Sequence, residues 1–174
     1  QLWLGDAFNA KRDYDSATAA YREAVRQDPS VAMGHTDLAQ ALYNKGDFEG
    51  AIAEYREFSR INPDSPQTQI RAVTAIGNTL IRMQHFAEAI AELQPAAEKY
   101  PQDAQLLFSL GQARLRSGDL DKGLTAFQRA IEIGPASPVA LNNVAYELAS
   151  YDRLLDAALG FAERAVSQQA DQAV

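Results

Sequence analysis

Residues 110–135 read LGQARLRSGDLDKGLTAFQRAIEIGP, and residues 4–29 read LGDAFNAKRDYDSATAAYREAVRQDP. Laid over each other, the two stretches agree in kind at the same six places. Leu-Gly opens both, at Leu4-Gly5 and Leu110-Gly111. An aromatic residue or Leu follows at Tyr14 and Leu120, then a small residue at Ala17 and Gly123. An aromatic follows at Tyr21 and Phe127, then Ala24 and Ala130, then Pro29 and Pro135. The same beat runs through the rest of the chain. Gly5, Ala39, Gly77, Gly111 and Ala145 lie 34, 38, 34 and 34 residues apart. Pro29, Pro63, Pro101 and Pro135 keep the spacing, as do Ala17, Ala51, Ala89 and Gly123. Three columns in phase at 34 residues indicate a stacked repeat, in which each unit buries its apolar face against its neighbours.

One unit shows what is repeated. Met33, Leu38, Ala39 and Leu42 are apolar at helical spacing. Asn44-Lys45-Gly46-Asp47 stops that helix, with Gly46 suited to a left-handed cap. A second helix follows from Phe48, with Ala51, Ile52, Tyr55 and Phe58 on one face, and ends before Asn62-Pro63 because a residue preceding proline disfavours the helical region. Two such helices joined by a short turn form an antiparallel pair. Gly5/Ala17, Ala39/Ala51, Gly77/Ala89 and Gly111/Gly123 are expected to let the two helices approach closely, since helix separation depends on the side chains at the crossing. Tyr21, Tyr55, Leu93 and Phe127 fill the gap beyond it, and Tyr14, Phe48, Phe86, Leu120 and Leu154 open the second helices.

This set of columns resembles the tetratricopeptide repeat, and the resemblance covers nearly all 174 residues. It implies an all-α, right-handed α-α superhelix, a solenoid of about five helix-turn-helix repeats over 1–31, 32–65, 66–103, 104–137 and 138–172. Helix breaks are expected near Gly46, Pro63, Pro101, Gly118 and Pro135. The third unit departs from the pattern by 38 − 34 = 4 residues, about one helical turn. Ser65-Pro66 and Ser137-Pro138 read as an N-cap with proline at the first helical position. Pro66 lies 11 residues before Gly77 and Pro138 only 7 before Ala145, so the first helix of unit three should be one turn longer and project from the stack. Pro95 is expected to kink the second helix of that unit. The fifth unit gains one residue in its inter-helix turn, so that Ala158, Ala162 and Ala165 match Ala17, Tyr21 and Ala24.

Bulk properties narrow the function. A net charge of −7 argues against nucleic acid or an anionic membrane as partner, because phosphate binding needs dense Lys and Arg. The absence of cysteine excludes disulfides, a thiolate nucleophile and Cys-based metal sites, and leaves cytoplasm and periplasm equally open. No apolar run approaches the roughly 18 residues of a membrane span. The chain opens at Gln1-Leu2-Trp3-Leu4, within a helical pattern and without Met, so it is expected to be part of a longer protein. No nucleophile elbow, phosphate loop or metal spacing occurs. His35 and His85 lack a second His three or four residues away, and a surface or capping role is expected for each. The expectation is a chain that is not an enzyme and uses no cofactor or metal.

A binding face follows from helical geometry. Counted at 100° per residue from each small residue, offsets of −6, −3, +1, +4 and +5 share one flank of each first helix. In proteins of the resembled family, that flank lines the concave groove that takes extended peptides or a helix. Here it holds Leu2, Asp6, Asn9 and Ala10 in unit one, Met33, Thr36, Gln40, Tyr43 and Asn44 in unit two, and Arg71, Thr74, Asn78, Ile81 and Arg82 in unit three. Unit four adds Gln105, Phe108, Gln112, Leu115 and Arg116, and unit five Asn142 and Tyr146. Amides at Gln40, Asn78 and Gln112 can hydrogen-bond an extended backbone. Tyr43, Phe108 and Tyr146 can anchor side chains. Arg71, Arg82 and Arg116 favour a peptide with acidic residues or a free C-terminus. The Lys/Asn/Arg clamp with which some family members grip chaperone C-termini is incomplete, because Thr74 and Asn78, or Phe108 and Gln112, stand at its first pair. A protein-interaction scaffold is the leading reading. Its rivals are a spacer that self-associates through an uncapped C-terminal helix bearing Leu155, Leu159 and Val166, and an accessory domain of a larger enzyme or of a secretion or assembly protein.

Overall fold

The computed structural model describes residues 1–133 and 137–171. Ten α-helices account for most of them: α1 (Leu2–Ala10), α2 (Tyr14–Gln27), α3 (Ala32–Lys45), α4 (Phe48–Ile61), α5 (Pro66–Arg82), α6 (Phe86–Lys99), α7 (Ala104–Arg116), α8 (Leu120–Ile133), α9 (Pro138–Ala149) and α10 (Leu155–Asp171). They pack as five successive pairs, each stacked on the next, into the expected right-handed solenoid. Breaks fall at Gly46, Pro63, Pro101 and Gly118, while the expected break at Pro135 lies outside the described residues.

Four of the five pairs close with one turn. Its pivot is a residue in the left-handed region: Arg12 (φ 60°), Gly46 (φ 93°), Gln84 (φ 63°) and Gly118 (φ 93°). The next residue donates its N–H back into the first helix. Asp13 reaches the Phe8 carbonyl at 3.0 Å, and Asp47, His85 and Asp119 reach Leu42, Leu80 and Arg114 at 2.9 Å each. In two turns that residue also caps the second helix, Asp13 accepting from Ser16 N at 3.2 Å and Asp47 from Gly50 N at 3.0 Å. The fifth pair differs. A single 3-10 turn over Asp152–Leu154 absorbs the extra residue, so Leu154 precedes its second helix instead of opening it. Ala158, Phe161 and Ala165 are buried in α10, while Ala162 is only partly buried.

The small column is buried throughout, but the crossing is not simply small against small. A methyl on Gly77 would come within 2.6 Å of Leu93, and one on Gly111 within 2.9 Å of Phe127. The large residue of each second helix thus seats into the hole left by the glycine of the first. Backbone comes close at Gly123, where a methyl would stand 3.0 Å from Leu115 N and 3.1 Å from the Gly111 carbonyl oxygen.

The longer first helix of unit three is present, α5 having 17 residues against 14 in α3. Its extra turn is tied down. Gln69 Nε2 donates to the Ser59 carbonyl (3.0 Å) and the Asn62 carbonyl (3.2 Å), and the Ser59 hydroxyl donates to Gln69 Oε1 at 2.6 Å. Ser65 and Ser137 cap α5 and α9 as expected, each with proline in the first turn. Helix α6 continues through Pro95 from Phe86 to Lys99.

Candidate functional site

The inner flanks of α3 and α5, with the start of α7, enclose a cavity of about 380 Å³. Its walls carry Gln40 and Tyr43 from α3, Arg71, Thr74 and Asn78 from α5, Tyr55 from α4 and Gln105 from α7. A smaller cavity of about 290 Å³ adjoins it, sharing Gln40, Tyr55 and Arg71 and adding Asp37 and Phe58. Gln40, Tyr43, Arg71, Thr74, Asn78 and Gln105, all expected on the groove flank, are therefore brought to one place.

Local structure explains their placement. Gln40 Nε2 donates to Asn44 Oδ1 one turn on, at 3.2 Å, which leaves the Gln40 carbonyl oxygen turned to the cavity's polar neighbours. Tyr43 meets Phe48 edge to face at 5.4 Å. The Arg71 guanidinium lies over the Phe58 ring, 5.4 Å from its centre. Such a contact uses the face of the cation and leaves its in-plane N–H donors free. Thr74 is buried on the cavity floor, and its hydroxyl has no hydrogen-bond partner. Burial pushes the Tyr55 hydroxyl up from its usual range, so it stays a neutral donor and acceptor.

Other expected groove residues go elsewhere. Arg116 donates to Glu147 Oε1 of α9 at 2.9 Å, so its charge is matched within the protein. Phe108 is half-buried and packs edge to face on Phe127 at 5.1 Å, in the core instead of on the groove. Ile81 and Leu115 are buried, as Thr74 is, because the offsets of −3 and +4 lie close enough to the small column to turn inward. Arg82 is exposed and Gln112 half-buried, outside both cavities; Asn142 and Tyr146 are exposed on α9. The periodicity missed several lining residues. Asp37 lies about 160° round α3 from Ala39, just beyond the edge of the stripe, and Tyr55 was read as core filling. A tyrosine where hydrocarbon would serve was the available signal, since a buried hydroxyl needs a partner.

Both histidines have partners within the protein. His35 is buried, not a surface or capping residue. Its Nδ1 lies 2.7 Å from Glu54 Oε2 and its Nε2 3.1 Å from the Pro29 carbonyl oxygen, which ties α3 to α4 and to the preceding turn. His85 pairs with Glu88 at 3.1 Å on the surface. Among the described residues no three His, Asp or Glu side chains are grouped to hold a metal ion. No helix among them is long and apolar enough to cross a membrane.

Comparison with known proteins follows this geometry. The tetratricopeptide repeat family model matches residues 2–66 and 74–138. Tetratricopeptide repeat protein 21A of Mus musculus is 26% identical over 140 residues, which is 79% of this chain. The chain spans only 10% of that relative's length. The crystal structure of MamA superposes with a TM-score of 0.73 at 23% identity, covering 98% of this chain and 96% of that one. YrrB, described as a TPR protein with an unusual peptide-binding site, superposes with a TM-score of 0.63 at 21% identity, over 98% and 85% of the two chains. At these identities the likeness is one of fold.

Proposed function

The chain belongs to the tetratricopeptide repeat family, whose fold is a protein-interaction scaffold, and from that premise we propose that this segment is non-catalytic and holds an extended peptide in the groove between α3, α5 and α7. The carrying observation is the cavity lined by Gln40, Tyr43, Arg71, Thr74 and Asn78. It combines backbone-binding amides, a ring-supported guanidinium and a buried hydroxyl lacking a partner, and it holds no carboxylate. Such a surface suits a peptide main chain with an acidic residue or a free C-terminus. Arg82 lies one helical turn beyond Asn78 on α5 and can extend the same face.

Peptide panning against the folded chain tests this reading, followed by mapping of amide chemical shifts. Shifts at Gln40, Arg71, Asn78 and Gln105 are expected, and Asn78→Arg should abolish them by filling the cavity. Binders whose shifts fall only on the outer faces of the second helices, or no binders at all, would overturn it.

A second reading, self-association, rests on the two ends. Leu4 is 49% exposed, whereas its counterparts Leu38, Ile76, Leu110 and Val144 are at most 3% exposed. Leu159 and Val166 on α10 are 59% and 67% exposed, while the matching Ile52 and Ile131 are 8% and 6%. The ends carry the two halves of the internal junction, so one copy can stack on the next through α10 and α1. Sedimentation over a hundredfold concentration range decides it. A Leu159→Glu variant should remain monomeric where the parent associates.

A further inference from the structure

Asp37 and Arg71 line one cavity without forming an ion pair, and Asp6 lies close enough to Asp37 for its field to be felt there. We propose that the groove holds two chemically opposite subsites and takes an extended segment that pairs a basic residue with an acidic one. The basic residue sits over Asp6 and Asp37, and the acidic residue enters the cavity of Arg71 and Thr74. The proposal rests on the groove reading above and adds the chemistry of its ligand.

The donor subsite is built on α5. Threonine hydroxyls elsewhere in this fold satisfy themselves within their own helix: Thr79 donates to the Ala75 carbonyl at 2.7 Å, and Thr18 donates to that of Tyr14. Thr74 makes no such bond, although it is 5% exposed and its oxygen is sealed from solvent on the cavity side of the helix. A buried polar atom without a partner is rare in folded proteins. Next to it the Arg71 guanidinium is held by the Phe58 ring with its N–H edge unused, and among the described residues no carboxylate lies within 4 Å of it. A ligand carboxylate can take the free N–H edge of Arg71, above the sealed Thr74 hydroxyl.

The acceptor subsite lies on α1 and α3. Asp6 accepts the Tyr21 hydroxyl at 2.7 Å and remains exposed. Asp37, half-buried, has no cation within 4 Å among the described residues. Burial, and then the field of Asp6, raise its carboxyl above the usual range. Asn9, one turn beyond Asp6 and so on the same face of α1, keeps a buried amide oxygen with no donor. Asp6 and Asp37 both accept, and a ligand cation can pair with them, while the Asn9 oxygen lies sealed beneath the surface.

The two subsites open into each other. Asp37 and Arg71 both line the smaller cavity, with Gln40 and Tyr55 beside them, yet they form no ion pair. A wholly acidic ligand would meet Asp6 and Asp37, and a wholly basic one would meet Arg71. A mixed segment matches both, and the net charge of −7 does not repel it as it would an acidic peptide. Asp37 and Arg71 face one small cavity and an extended chain advances about 3.3–3.6 Å per residue, so the two ligand side chains should be roughly two to four residues apart.

The test is an NMR titration, carried to millimolar, with end-blocked peptides. One set pairs a Lys and a Glu two, three or four residues apart on a neutral background, and the controls carry Lys only, Glu only or neither. The best mixed peptide should bind about tenfold more tightly than either single-charge peptide. Asp37→Asn should remove the advantage of Lys, and Arg71→Gln the advantage of Glu, with thermal melts showing each variant folded. Groove shifts that are indifferent to Lys, or a Lys advantage that survives Asp37→Asn, overturn the two-subsite proposal alone. Absence of groove shifts with every peptide overturns the groove reading as well.

Discussion

At the scale of single residues, glycine has two opposite meanings in this fold. Gly77 is a socket: Leu93 occupies the space that a side chain would need, and Leu93 is completely buried. Gly160 is a vacancy in α10 with nothing within 4 Å of the position a methyl would take. Gly77→Ala is therefore expected to cost about 1–3 kcal/mol through overpacking, and Gly160→Ala to stabilise by roughly 0.5–1 kcal/mol through helix propensity. Urea unfolding of the two variants should move in opposite directions, and a shared direction would contradict the socket. Asp37 gives a pH-dependent case. Its carboxyl is raised in the folded state above the value of 3.8 of an unperturbed aspartate, by burial and by Asp6. Such an acid weakens the fold once ionised, and its effect vanishes when both states are protonated. Asp37→Asn is expected to raise the melting temperature at pH 7 and to leave it unchanged near pH 3.

At the scale of helices, the reading of the sequence was sharpest where one backbone event depended on one residue type. Gly46 and Gly118 at the left-handed pivots, and Ser65-Pro66 and Ser137-Pro138 at helix starts, fall where the pattern placed them. Arg12 and Gln84 hold the same pivot without glycine, which composition alone does not announce. The groove was legible only in part. A single angular count separates the inner flank from the outer one, but it cannot separate a side chain at the rim from one turned inward, as Thr74 and Leu115 are. Nor does it foresee that Arg116 finds Glu147 on the next first helix, 31 residues away. The extra turn of α5 was visible as four inserted residues, but its anchoring by Gln69 was not. That anchor carries its own expectation. Gln69→Ala breaks three hydrogen bonds to the end of α4 and should cost about 1–2 kcal/mol. Amide protection should fall first at the start of α5, and uniform loss over the whole chain would argue against a local stitch.

At the scale of the molecule, the core is a row with one seam. One apolar cluster runs from Ala17 through Leu38, Ile76 and Leu93 to Leu110, and a second runs from Leu115 through Phe127 and Leu141 to Phe161. Phe108 packs against both. Stacked repeats interact only with their neighbours, so the seam should divide the molecule into two units of differing stability. Phe108→Ala is expected to cost somewhat less than the roughly 3–5 kcal/mol of a fully buried phenylalanine. Hydrogen exchange should then show α9 and α10 opening separately from α1–α6. A single cooperative opening in the variant would mean that Phe108 is not the link.

The end-to-end stacking has a mechanical corollary. Tension applied at the two ends of a sheet is borne by many hydrogen bonds in parallel, whereas here it must pass through each junction in series. Adding units lengthens such a coil without strengthening it, and the load at which it yields is set by its weakest junction.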